Sequence, residues 1–295
     1  MIKQSEILSA ADTTGLSRAT IDKDWVLGHL LNAIFRIPGF QDILVFKGGT
    51  CLRKCYFTNY RFSEDLDFTL LDHNFVFDEK AVKKIIEKAS EISFHEEFNR
   101  GILYKLKNIE PTHSNDIEQG YKIFLHYWGA DHKKNHVPSQ AIEQWHHTIK
   151  LDINHTEEII FPVNYRPINH SYTDAFKFKD TQVPCYAIEE VISEKFRSLI
   201  QRKYTSPRDC YDIWCLKNSQ SNLDWNKIKV AFIKKARDKN IEFTGVEQLL
   251  NLQKEKILKQ HWKTQLENQF PKNKVPDYSI IINELKHFLT DSFEN

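Results

Sequence analysis

Residues 44–71, LVFKGGTCLRKCYFTNYRFSEDLDFTLL, decide how the rest of this chain is read. An apolar run, Leu44-Val45-Phe46, leads into Gly48-Gly49-Thr50 and then an amphipathic segment, CLRKCYF. Further on, Leu66, Phe68 and Leu70 alternate with polar residues, and that period of two predicts a strand. Positions i and i+2 of a strand share a face, so Asp65 and Asp67 stand side by side. Two carboxylates held that close repel each other unless a cation lies between them. Oxygen-only ligands of this kind suit Mg²⁺ (or Mn²⁺), which takes one or two carboxylates plus substrate phosphates. The Gly-Gly-Thr turn before a helix offers backbone N–H groups and a helix N-terminus, which is an anion site. A phosphate cradle beside a metal pair predicts a site for a nucleoside triphosphate (NTP) with its metal. Either half alone is commonplace; the order strand–GGT–helix–loop–DxD is far more specific.

The chain has 295 residues, 41% hydrophobic and 27% charged, enough for one large domain or two modest ones. No apolar run approaches the length of a membrane span, and the N-terminal MIKQSEILSAADTTGL has no apolar signal core. Five cysteines with no C-x-x-C pair read as reduced thiols in a cytoplasmic protein, with Cys51 and Cys55 as packing residues. Net charge is +1, which excludes a global basic field for nucleic acid. A local patch remains: Lys227, Lys229, Lys234, Lys235, Arg237 and Lys239 face only Asp224 and Asp238 within 224–240.

Residues 1–20 read as an irregular arm or short helix. From Ile21, Trp25, Leu27, Leu30, Leu31, Ile34 and Phe35 recur at helical spacing, with Asp22 or Asp24 near the start and Pro38-Gly39 as the stop. A second helix is predicted at 78–93, with Val82, Ile85, Ile86 and Ala89 as its apolar stripe. Strand-like runs follow at Ile102–Ile109, Tyr121–Trp128 and Thr148–Asn154. The polar stretch between the last two holds His132 and His136 and reads as a surface loop. In TIKLDIN, Ile149, Leu151 and Ile153 form one face, which places Lys150, Asp152 and Asn154 on the other. Asp152 is either a solvent-facing residue or, as resemblance to a polymerase-β-like site would imply, a third acid that serves as base and helps hold metal.

After a proline-containing stretch, Ile188, Val191, Ile192 and Leu199 make a helical stripe with Lys195 in its middle. A lysine on an apolar face either snorkels or is held inward for a partner such as a triphosphate. Ser206-Pro207 starts another helix, on which Asp212 shares a face with Arg208 while Asp209 and Tyr211 point elsewhere. The remainder, 222–295, predicts a small helical bundle.

Gly-Gly-Thr with Asp-x-Asp resembles the polymerase-β-like nucleotidyltransferases. The wording FKGGTCLRK, RFSEDLDF, then EKF followed by RDCYDIW is similar to the AbiEii/AbiGii family of nucleotidyltransferase toxins. The resemblance runs from about Asp24 to Leu216. It implies an α+β fold, with a polymerase-β-like mixed-sheet lobe at 1–170 followed by a helical lobe at 171–295 that completes the active-site cleft. Carried across, the matching positions are Gly48, Gly49, Thr50 and Ser63 for nucleotide, with Asp65 and Asp67 for metal. The second motif adds Lys195 and Arg208 for phosphates and Asp212 as an acid. Asp152 matches only loosely, so Asp152 and Asp212 compete for the role of base. The implied activity is transfer of a nucleoside monophosphate from an NTP to an acceptor hydroxyl, tRNA or another RNA, by a toxin with a cognate antitoxin. A small-molecule transferase of the aminoglycoside-modifying kind and a catalytically degenerate binding protein are the alternatives.

Overall fold

The computed structural model describes residues 2–95, 101–114, 117–131, 145, 147–202, 204–220 and 222–294; His132 and His136 lie outside the described residues. The polar N-terminal stretch is helical. Helix α1 (Gln4–Thr14) is closed by Gly15 in the left-handed region, φ 69°, whose N–H donates to Ala11 O. Helix α2 (Arg18–Phe35) begins three residues before Ile21, because Ser17 accepts the Thr20 N–H and caps it.

α2 is buried on nearly every face, so its polar residues must find partners inside the protein. Asp24 receives Arg53, Lys54 and the Tyr172 hydroxyl. Asn32 accepts from Thr181 Oγ1, and His29 bonds Asp174, which also takes His170 and Trp25 Nε1. Asp22 accepts the N–H groups of Ala130 at 2.7 Å and Asp131 at 3.2 Å. The helix is thereby tied to several separate parts of its unit.

Burial pushes the Asp22 carboxyl from 3.8 up to about 7 against those two N–H groups, and Asp131 adds repulsion. The buried tyrosines Tyr104 and Tyr127 are also close enough to feel its charge. A raised folded-state value means that this carboxyl's contribution to stability is complete below 3.8 and lost as pH rises through about 7. Asp22→Asn keeps an acceptor for both N–H groups. It should match the parent near pH 4 and exceed it in Tm at pH 8, the gap opening between those values. A gap that ignores pH would show that Asp22 ionises without penalty.

After α3 (Phe40–Ile43) comes β1 (Leu44–Lys47), then α4 (Gly48–Cys51), which widens into a π-turn at Leu52–Tyr56. The next elements are β2 (Asp65–Leu70), α5 (Glu79–Ser93, capped by Asp78), β3 (Leu103–Ser114), β4 (Ile117–Trp128) and β5 (Thr148–Asn154). Two strands with no alternating pattern follow, β6 (Asn164–Pro167) and β7 (Gln182–Cys185). The seven described strands form one mixed sheet in the order β3-β4-β5-β2-β1-β7-β6. β2 runs parallel to β5 and β1 parallel to β7, while the other pairs are antiparallel. Leu66, Phe68, Ile149, Leu151 and Ile153 are buried, so the alternation puts the acids of β2 and β5 on the opposite face.

The chain divides into two compact units, 1–157 with 163–185, and 158–162 with 186–295. The second is helical: α6 (Ile188–Gln201), α7 (Pro207–Ser219), α8 (Trp225–Asp238), α9 (Leu252–Leu266) and α10 (Tyr278–Glu294). Buried Phe196 and Phe232 pack with half-buried Phe243 and Phe293, edge to face at centroid distances of 5.0–5.8 Å. Residues 158–162 join this unit because buried Glu190 accepts the Ile160 and Phe161 N–H groups. Glu190 also pairs with buried Lys235 at 2.6 Å, and Lys235 donates to Glu158 O.

Candidate active site

β1 ends in a turn at Gly48 with φ 79°, a conformation that favours glycine. A Cβ there would stand 2.2 Å from Asp67 Oδ2, so the missing side chain is what lets the acid lie against the turn. At Gly49 a Cβ would meet Arg61 Nη2 at 2.6 Å and Ser63 Oγ at 3.2 Å. Thr50 is buried, and its hydroxyl donates to Asp65 O, fastening the start of the helix to the acid-bearing strand. Register adds the second stitch, since Lys47 pairs with Asp67.

Gly48→Ala should therefore damage activity severely, combining left-handed strain of about 1–2 kcal/mol with displacement of Asp67. Gly49→Ala presses on Arg61 and Ser63 but adds no left-handed strain and leaves Asp67 in place, so its loss should be the smaller of the two. Equal losses in a transfer assay would show that Gly48 does not set the position of Asp67.

Asp24 holds this helix from α2. Arg53 Nε lies 2.7 Å and Lys54 Nζ 2.9 Å from its carboxylate, and Arg53 Nη1 also donates to Tyr60 O at 2.6 Å. Burial alone would raise the Asp24 carboxyl, but the Lys54 and Arg53 charges outweigh it and hold it well below the usual carboxylate range. The residue at the centre of this clamp is Lys54, one turn after Cys51 and 2% exposed.

The parallel pairing of β2 with β5 puts Asp65 opposite Lys150 and Asp67 opposite Asp152. All three acids thus share one patch of one sheet face. Lys150 Nζ lies 3.0 Å from Asp65 Oδ2 and 3.7 Å from Asp152 Oδ2. Burial raises the Asp67 carboxyl to about 7, with Asp65 and then Asp152 adding repulsion. These are oxygen donors that repel one another on one sheet face, with an ammonium beside two of them. Their chemistry fits a hard divalent cation. Lys150, whose importance shows only once the register is known, takes part of that counter-ion's role.

In the helical unit Lys195 and Asp212 meet at 2.5 Å, both buried. Asp209, expected to point elsewhere, converges on the same ammonium at 3.0 Å and takes Arg202 at 2.7 Å. The correction follows from helix geometry, because residues three apart share a face as residues four apart do. Arg208 is half-buried on α7. Asp212 is fully buried and ion-paired, whereas the Asp152 side chain is 33% exposed.

The basic segment 224–240 is also revised. Lys227 pairs with Asp224, Lys229 donates to Ser292 O, Lys234 pairs with Glu158, and Lys235 is buried on Glu190. Most of its charge is therefore used within its own unit. On α9, by contrast, Lys256, Lys259 and Lys263 are exposed and recur along one helix face.

A Gly-Gly-Thr cradle stitched to a strand of paired carboxylates on a mixed sheet defines a nucleotidyltransferase. The family described as nucleotidyl transferase AbiEii toxin, type IV toxin–antitoxin system, matches residues 29–284, and the chain belongs to it. In fold it is similar to MenT4, a nucleotidyltransferase toxin from Mycobacterium tuberculosis H37Rv, with a TM-score of 0.63 and 16% identity. That match covers 99% of this chain and 90% of MenT4. An antigenic nucleotidyltransferase-like protein from Paracoccidioides brasiliensis aligns at a TM-score of 0.38 and 10% identity, over 86% of this chain and 97% of that one. A comparison with curated protein sequences found no match. Among the described residues no helix is long and apolar enough to cross a membrane.

Proposed function

We propose that this toxin is a Mg²⁺- (or Mn²⁺-) dependent enzyme that moves a nucleoside monophosphate from an NTP to a hydroxyl of tRNA or another RNA, in the cytoplasm, and is restrained by a cognate antitoxin. The observation that carries the reading is the stitching of Gly48–Thr50 to Asp65 and Asp67, with Asp152 at the next register position. Asp65, Asp67 and Asp152 would hold the metal, which when bound neutralises charge on the phosphates and favours in-line displacement. The turn at Gly48 and Gly49, with the Thr50 N–H and the Ser63 hydroxyl, would bind the triphosphate. Asp152 suits the base better than Asp212, because it is partly exposed on the same face as Asp67 and is not buried against Lys195. Its role would be to take the proton from the attacking hydroxyl as pyrophosphate leaves.

For Lys195 and Arg208 the proposed role is that of cations for the β- and γ-phosphates, and it rests on the family pattern. Asp209 and Asp212 hold the Lys195 ammonium in place. Lys195→Met keeps the apolar stem and should weaken NTP affinity about tenfold or more by calorimetry. Unchanged affinity would leave Lys195 as a structural ion-pair partner. For RNA, the exposed row Lys256, Lys259 and Lys263 supports backbone tracking better than α8 does.

The test incubates the protein with Mg²⁺, each α-labelled NTP in turn and total cellular RNA, beside Asp65→Ala. Label on tRNA-sized RNA with the parent alone supports the reading. Label on a small molecule or protein overturns the acceptor, and no label anywhere overturns catalysis.

A further inference from the structure

Three of the five cysteines come together away from the acids. Cys51 and Cys55 lie one turn apart on the helix that follows the cradle, and Cys185 ends β7. Parallel pairing sets Cys185 opposite Phe46 of β1, the strand that feeds that helix. All three are buried, and their Sγ atoms lie within 4.8 Å of one another. We propose that Cys51, Cys55 and Cys185 form a binding site for a single soft d¹⁰ cation.

The dimensions support this. Three sulfurs each about 2.3 Å from one ion are separated by about 4.0 Å in a plane, or about 3.8 Å as part of a tetrahedron. The cluster has to contract by less than an ångström or so. Cys55 sits in the π-turn, where the Phe57 N–H reaches back five residues to Leu52 O at 2.8 Å, an irregularity of the kind often found at functional sites. An all-thiolate set bound to such an ion is anionic, and Arg166, whose Nε donates to Cys55 O at 3.2 Å, places a compensating charge beside it.

Sulfur-only ligands select Cu⁺ or Zn²⁺ over hard cations such as Mg²⁺. Coordination number separates these two. Among the described residues the cluster is three cysteines with no histidine or carboxylate joining it, whereas structural zinc almost always takes four ligands. Cu⁺, content with three sulfurs, is the better match. The other gathered set, His29, His170 and Asp174, is a different case, because both histidines already direct Nε2 at the Asp174 carboxylate. Cys51 follows Thr50 directly, so an ion in the sulfur site would bind the cradle helix to β7. Uptake exchanges thiol protons for the ion and needs no oxidant.

The experiment titrates reduced protein anaerobically with Cu⁺ and with Zn²⁺, each against a coloured competing chelator, in the parent, Cys185→Ser, Cys55→Ser and Cys215→Ser. The expected result is one ion per chain in the parent and in Cys215→Ser. Affinity should fall in the other two by more than the roughly 100-fold that losing an outer partner of a metal site costs. X-ray absorption on the loaded parent, which does not depend on any variant folding, should show a sulfur-only shell at about 2.3 Å. No uptake, uptake that survives Cys185→Ser, or a nitrogen or oxygen shell would overturn the proposal. So would loss of two thiols to a disulfide under mild oxidation with no metal affinity in the reduced protein.

Discussion

Asp67→Ala should reduce nucleotidyl transfer by on the order of 10³-fold or more, while the protein melts no lower than its parent. The two halves of that expectation have one cause. Asp67 lies against Gly48, next to Asp65 in its own strand and Asp152 in the neighbouring one. Its charge is opposed by burial and by both acids. Removing it relieves that repulsion and deletes a ligand of the proposed metal set. Sites that store unfavourable charge for a ligand trade stability for function in this way. A variant that unfolds would make Asp67 structural, and one that retains transfer would move the metal elsewhere. Added Mg²⁺ gives a second readout, since it should raise the Tm of the parent and leave that of the variant unchanged.

The second large effect concerns Asp24, which no assay of chemistry alone would find. Asp24→Ala leaves the ammonium of Lys54, 2% exposed, and the adjacent guanidinium of Arg53 without their carboxylate. Breaking a buried pair from one side costs about 3–5 kcal/mol. The unfolding midpoint of the sheet unit should fall by roughly 10 °C. Asp24→Leu combined with Lys54→Met removes both buried charges and should recover much of the loss. If Asp24→Ala costs under about 1 kcal/mol, Lys54 and Arg53 have found other acceptors and the clamp is not what positions the cradle.

What could be read from residues alone follows from how local each feature is. Gly48-Gly49-Thr50, the Asp65/Asp67 pair and the Lys150/Asp152 face are patterns of two to seven neighbouring residues, and turn chemistry and strand alternation express them directly. The apolar stripes of α2, α5 and α6 were legible for the same reason. Strands β6 and β7 were not. They are four residues long, each contains a proline, and QVPC is buried at three consecutive positions, so no alternation announces it. The Asp24 clamp and the Lys150 bridge join residues 30 and 85 positions apart (24 to 54, 65 to 150), a distance across which no local pattern carries information. Asp209 was misjudged because a helix face is broad enough to include residues three and four apart together, and only the partner decides between them.

The strand order has a consequence for how this toxin is made. β1 cannot gain its neighbour β7 until the ribosome has added 139 more residues, from Phe46 to Cys185. By then Gly48, Asp65, Asp67 and Asp152 have all been added to the chain, while the β1 edge still lacks its β7 neighbour. Pairing over so long a separation is slow, and an unpaired edge invites association with other chains. A product of early termination that ends between residues 154 and 182 carries Asp65, Asp67 and Asp152 but lacks the strand that pairs with β1 on its other side. The strand that carries the proposed nucleotide site thus gains its second neighbour only once residue 185 has been added.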